Sequence, residues 1–218
     1  MSVLHDPDLE RLLEQLHDRS DAQGEAMRAH DANESDAARI KAFRSDKLVA
    51  LDRDKAEFCY QLCRAINARR IVEVGTSYGV STLYLAAAVR DNLRAGGGEG
   101  VVIGTEYEPG KAKAARKHFA EAGLSRYIDL REGDLRETLR HIDGPVDFVL
   151  IDIWISMARS ALEMVASHLR PGAIVVCDNT ERRRSDYADY FAFINDPANG
   201  FRTMTLPFGD GLEFSVRS

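Results

Sequence analysis

The sequence predicts an α/β protein built on a doubly wound, mostly parallel sheet, with helices added at its N-terminus. Three observations carry this reading. From Arg70 onward, short apolar runs alternate with helical patterns without interruption, the signature of successive βαβ units. The runs 146–151 and 173–177 are almost continuously apolar, as strands are when both faces of a parallel sheet are covered. The stretch 70–82, Arg-Ile-Val-Glu-Val-Gly-Thr-Ser-Tyr-Gly-Val-Ser-Thr, reads as a buried strand running into a glycine turn that opens a helix, the first unit of a nucleotide-binding sheet.

Taken in order, Asp6-Pro7 starts a helix whose Leu9, Leu12, Leu13 and Leu16 form one apolar stripe. That stripe serves either packing on the parent domain or a subunit interface, which would make a homodimer. Residues 19–38 are mostly polar or small and read as a loop with broken helix. Residues 1–45 are therefore set apart as a helical extension and 46–218 as the main domain. A helix over 53–67 carries apolar residues at 58, 59, 62, 63 and 66. After the first strand, the helix containing 83–89 leads through a glycine-rich surface loop, 95–100, to a second strand at 101–105. This strand ends on Glu106, and a helix runs from Pro109 to about 122. The third strand, 127–131, ends in Glu132-Gly133-Asp134. A helix over 156–169, stopped by Pro171-Gly172, separates the fourth and fifth strands. Two last strands, 201–206 and 212–217, are joined by a loop so short that they must be antiparallel.

A chain of 218 residues suits one domain with a substantial core. Hydrophobic content of 44% and charged content of 29% fit a soluble globular protein. No apolar run approaches the roughly 20 residues that span a bilayer, and the first residues lack a signal-peptide pattern. Cys59, Cys63 and Cys177 form no C-x-x-C pattern; the first two, four apart on a helix, read as packing. A cytoplasmic protein with no membrane partner is expected. The net charge of −6 argues against nucleic acid.

The glycines select among nucleotides. Dinucleotide binders need G-x-G-x-x-G, whose middle glycine lets the backbone approach a pyrophosphate. Here Gly75 and Gly79 flank Thr-Ser-Tyr, so no glycine stands at that place, and Glu73 precedes the turn. A carboxylate there repels phosphate but suits a cationic amino-acid moiety. S-adenosylmethionine, with a sulfonium and an ammonium, fits better than NAD. Glu106, ending the second strand, is placed to accept from ribose hydroxyls. Asp134 is placed either to accept from an adenine amino group or to cap the following helix. Asp152, Asp178 and Asn179, at the ends of the fourth and fifth strands, converge on the ligand crevice. They form an oxygen-rich set suited to Mg²⁺ or Ca²⁺, although Asp152 could instead serve the cofactor's amino group.

From about Lys47 to Ser218 the chain resembles the class I S-adenosylmethionine-dependent O-methyltransferases of the catechol and caffeoyl-CoA type. The matching segments are 72–81, Thr105-Glu106, Gly133-Asp134, 146–152, Pro171-Gly172, Asp178-Asn179 and 209–213. The resemblance implies a Rossmann-like seven-stranded sheet with an antiparallel last strand. It also implies methyl transfer to a hydroxyl of a small, aromatic acceptor held on a divalent metal. Asp152, Asp178 and Asn179 resemble the metal ligands. Glu73, Gly75, Ser77, Ser81, Glu106, Asp134, Asp152 and the backbone near Leu51 resemble the cofactor contacts. One departure stands out. Family members carry a lysine as general base shortly after the acid of strand four, whereas this chain reads Asp152-Ile-Trp-Ile155. Lys47, Lys55, His141 and the segment Glu181-Arg182-Arg183-Arg184 are the candidates to replace it. Those arginines could also be a solvated cluster. Trp154 reads either as a platform for an aromatic acceptor or as a core anchor. The competing readings are a metal-independent methyltransferase and a non-catalytic cofactor-binding module.

Overall fold

A computed structural model describes residues 3–218; the first two residues of the expected extension lie outside the described residues. Three helices precede the sheet: α1 (Pro7–Asn33), α2 (Ala37–Arg44) and α3 (Arg53–Ala65). The Asp6 side chain accepts from the Leu9 amide at the start of α1, and Pro7 sits in the first turn, where its missing N–H is no loss. Leu9, Leu12, Leu13 and Leu16 are buried in the same apolar cluster as Leu83 and Tyr84. The stripe therefore packs on its own chain and is not free to meet a second subunit.

The helix also runs on through residues 19–33, part of the stretch 19–38 that the sequence suggested was a loop with broken helix. Its polar side chains act as tertiary anchors: Ser20 Oγ accepts from the Ala50 amide at 3.1 Å and Gln23 Oε1 from the Leu48 amide at 3.1 Å. Such contacts leave no apolar periodicity to read.

The rest alternates: β1 (Arg70–Val74), α4 (Val80–Gly96), β2 (Val101–Glu106), α5 (Pro109–Glu121), β3 (Ile128–Glu132), α6 (Leu135–Thr138), β4 (Val146–Ile151), α7 (Ile155–Ala166), β5 (Leu169–Asp178), α8 (Ala188–Ile194), β6 (Phe201–Leu206) and β7 (Leu212–Arg217). The seven strands lie in the order β3-β2-β1-β4-β5-β7-β6. β1 to β5 are parallel, and β7 is antiparallel to both its neighbours.

Alternate residues feed opposite layers. Ile71, Phe148, Leu150 and Val176 join the cluster that includes residues of α1, α3 and α4. Val72, Val149, Val175 and Cys177 join the one that includes residues of α6, α7 and α8. All three cysteines are buried and free.

Two boundaries differ from the sequence reading. α4 takes in Ala95 and Gly96, shortening the glycine loop. β5 begins at Leu169, so Pro171-Gly172 lie inside a strand rather than ending a helix. The pairing of β4 with β5 jumps from Val146↔Leu169 to Phe148↔Ile174, and a proline within that irregularity gives up no ladder bond. Among the described residues no helix is long and apolar enough to cross a membrane. The order of the strands reverses between β1 and β4, which puts the ligand crevice at their carboxyl ends.

Candidate active site

The turn after β1 is shaped by the protein's own packing. The Asp152 amide donates to the Val74 carbonyl at 3.0 Å, drawing the ends of β1 and β4 together. A Cβ on Gly75, at φ +100°, would overlap the Asp152 carbonyl oxygen; one on Gly79, at φ +84°, would overlap the Phe119 ring. Ser77 also has a positive φ of 50°, and its Oγ is buried with no hydrogen-bond partner among the described residues.

Beneath this turn Glu73 is fully buried. Its Oε1 accepts from Ser81 Oγ at 2.7 Å, and its Oε2 accepts from Thr76 Oγ1 at 2.9 Å and from the Thr82 hydroxyl. Burial raises its pKa while the three hydroxyls pull it back. Among the described residues no basic side chain pairs with Glu73. The Ser81 hydroxyl is thus engaged by Glu73 rather than turned to the crevice.

Glu106 ends β2 with 8% of its surface exposed. One carboxylate oxygen accepts from the Ser77 amide at 2.7 Å and the other from the Glu108 amide at 2.8 Å. This bridges the first two turns, and each oxygen keeps a further lone pair. Asp134 accepts from the Arg136 amide at 2.9 Å, capping α6, and from the Arg136 guanidinium. These bonds hold its pKa down at about 2, so in this structure Asp134 serves the helix. Leu51 is buried in the core, which leaves only its backbone for a ligand.

At the end of β4, burial first, then the nearby charges of Asp178 and Glu73, push the Asp152 carboxyl well above the usual carboxylate range; Lys55 opposes this. Asp178, at the end of β5, is 5% exposed. Its Oδ1 accepts from Lys55 Nζ at 2.7 Å and its Oδ2 from Asn179 Nδ2 at 2.8 Å, while its carbonyl accepts from the Tyr187 hydroxyl at 3.0 Å. Lys55, on α3, is fully buried and also reaches Asp52 at 2.9 Å. Burial alone would lower the Lys55 pKa, but Asp178 and Asp52 more than reverse this. Burial likewise drives Asp178 upward and Lys55 pulls it back. We read the pair as ionic, because each charge is the other's nearest counter-charge.

This arrangement does not fit Mg²⁺ or Ca²⁺. Asp178 Oδ1 accepts from an ammonium, a positive charge already in the site, and Asn179 turns its side-chain nitrogen to Oδ2. At an effective dielectric near 20, unit charges about 4 Å apart interact by about 4 kcal/mol, and a divalent ion doubles the repulsion. Among the described residues no three His, Cys, Asp or Glu side chains form a metal-binding group.

Trp154 precedes α7 and is 40% exposed, a rim residue rather than a core anchor. Ile155 opens that helix. Of the candidate bases, Lys47 pairs with Asp46 and covers the Phe43 ring. His141 lies between α6 and β4, its carbonyl accepting from Arg131 at 2.7 Å. Arg182, Arg183 and Arg184 pair on the surface with Asp210, Asp186 and Glu181, as a solvated cluster does. The sequence reading overlooked Lys111 on α5. Burial lowers its pKa against the charges of Glu106, Glu108, Asp46 and Asp152. Its place in the first turn after Glu106 was the available signal. A groove of about 650 Å³ lined by Arg69, Arg70 and Arg126 lies at the amino edge of the sheet, and none of the candidate residues line it.

Residues 72–180 match the methyltransferase domain family model. The chain is 33% identical over 150 residues to a catechol O-methyltransferase of Mycobacterium tuberculosis, covering 66% of this chain and 65% of that protein. It is 28% identical over 138 residues to one of Niastella koreensis, covering 62% and 59%. The chain thus spans slightly less than two thirds of these relatives. Among solved structures, an O-methyltransferase from Bacillus cereus in complex with S-adenosylhomocysteine matches with a TM-score of 0.70 at 20% identity, over 98% of this chain and 91% of that one. The O-methyltransferase TomG from Streptomyces achromogenes in complex with S-adenosylmethionine matches with 0.67 at 22%, over 85% and 91%. At these identities the two structures speak to the fold alone.

Proposed function

Because this chain belongs to the class I S-adenosylmethionine-dependent O-methyltransferase family, we propose that it moves a methyl group from S-adenosylmethionine to a hydroxyl of a small aromatic acceptor. The observation that carries the reading is the turn after β1. It has no pyrophosphate glycine, and it sits over a buried Glu73 that, among the described residues, only neutral hydroxyls hold. A cationic ligand is favoured there and a phosphate is not.

When bound, the cofactor supplies a methyl group activated by its positive sulfur. Glu106 would hold the ribose hydroxyls, and the unpartnered Ser77 Oγ and the backbone around Gly75 would line the amino-acid end. Asp152 and Glu73 would face that end, where a cationic ligand would favour their ionised forms against the burial that raises both. Trp154 is exposed enough to stack on an aromatic acceptor. Ile155 gives the rim an apolar surface where relatives carry a base, which suits an acceptor hydroxyl that is itself acidic. Alignment of donor and acceptor can then supply much of the rate.

Of the metal-assisted and metal-independent versions, the Lys55–Asp178 pair favours the second. In this reading 46–218 form the methyltransferase domain and 1–45 a helical extension. The protein works in the cytoplasm on small molecules, without nucleic acid or membrane.

Calorimetry with S-adenosylhomocysteine tests the cofactor half. Glu106→Ala should lose about 1.5–3 kcal/mol of binding, as for hydrogen bonds to a charged group. Unchanged affinity, or NADH binding to the wild type, would overturn it. Transfer of labelled methyl to a panel of catechols and other phenols tests the acceptor half.

A further inference from the structure

We propose that Lys55 is a built-in cation that takes the place of a divalent metal at the end of β5, holding Asp178 in position and keeping metal ions out. Lysine is almost never fully buried unless it is paired, and Lys55 is fully buried. Its ammonium touches two carboxylates, Asp178 at 2.7 Å and Asp52 at 2.9 Å. Gly209, in the loop between β6 and β7, covers it: a Cβ there would lie 3.7 Å from Nζ. One side chain thus joins α3, the end of β5 and that loop, a span that would otherwise bring Asp178 and Asp52 together with no counter-charge.

The charges divide cleanly. Asp178 and Asp52 share the Lys55 ammonium, while neither Glu73 nor Asp152 has an ion-pair partner among the described residues. Those two acids remain for a cationic ligand. Asn179 completes the lock, since its left-handed backbone, at φ +58°, turns its amide nitrogen to the second Asp178 oxygen. Lys55 is therefore a positioning residue rather than one that touches the acceptor. Its consequence for turnover rests on the methyltransferase reading; the exclusion of metal does not.

The test is Mn²⁺ binding, followed by electron paramagnetic resonance and by thermal melting in Mg²⁺ or Ca²⁺. Wild type should bind no Mn²⁺ tightly, melt at the same temperature with either metal or with EDTA, and keep any methyl transfer in EDTA. Lys55→Met should melt lower and regain several degrees on adding Ca²⁺ or Mg²⁺, since a ligand that binds only the native state raises its stability. If that variant does not fold, the pair Lys55→Met with Asp178→Asn, which leaves no lone charge, should fold and ignore metal. Micromolar Mn²⁺ binding by wild type, or loss of its turnover in EDTA, would overturn the proposal. A wild type that binds S-adenosylhomocysteine and Mn²⁺ sinks only this inference; one that binds neither sinks only the methyltransferase reading.

Discussion

The ends of β1 and β5 each bury one carboxylate, and they stabilise it in different ways. Glu73 is surrounded by the hydroxyls of Thr76, Ser81 and Thr82, neutral donors that satisfy its oxygens without cancelling its charge. Asp178 meets the ammonium of Lys55, a direct counter-charge. The first end therefore leaves its acid without a counter-charge below a tight turn, and the second ties its acid to an ammonium that Asp52 shares. An acid at the end of a strand is not a ligand by virtue of position. What its oxygens already accept from decides whether anything else can use them.

The largest effect that could break this contrast is at Lys55. Lys55→Met should cost about 3–5 kcal/mol at neutral pH, because removing one partner strands a buried charge. Urea unfolding would measure it, and a cost under 1 kcal/mol would mean that Asp178 is not held by Lys55. The turn over Glu73 comes next. Gly75→Ala should cost about 1–3 kcal/mol for its φ alone, more with the overlap on Asp152. It should also weaken S-adenosylhomocysteine binding, whereas Lys55→Met should leave that binding far less changed.

A third acid, far from the crevice, sharpens the comparison. Asp147 accepts from the amides of Arg69 and Arg70 at 2.8 and 2.9 Å and from Arg170 at 2.6 Å. Burial opposes the charge there, but these donors win and lower its pKa below 3.8. A depressed native pKa gives stability that is present above the unfolded value and lost as pH falls through the native one. Asp147→Asn should thus cost about 1–3 kcal/mol at pH 7 and less toward pH 2, flattening the acid limb of stability.

The smallest effect concerns His17, where burial against Tyr84 lowers the pKa from 6.5. Its neutral form stabilises the docking of α1 above that value, and stability should fall by under about 1 kcal/mol as pH drops from 7 to about 5. His17→Phe should remove this slope in hydrogen exchange of α1; a slope that persists would place the titrating group elsewhere.

Much of the fold was legible in the sequence, because it is written locally. Apolar runs of strand length, Asp6-Pro7 and Pro109 at helix starts, and the short loop between β6 and β7 each act over a few residues. They yielded the seven strands and the antiparallel end. The second half of α1 was hidden because Ser20 and Gln23 make tertiary contacts instead of an apolar stripe, and the start of β5 because a pairing irregularity absorbs Pro171-Gly172. The acids at the strand ends were visible as residues, and capping was one of the two roles read for Asp134, but the role of Asp178 was not visible. Asp134 turned to Arg136 and α6, and Asp178 turned to Lys55, 123 positions away. Periodicity and capping are short-range and can be read along the chain. The neutralisation of a buried charge depends on which distant segments the folded sheet brings within reach, and only the tertiary structure decided that.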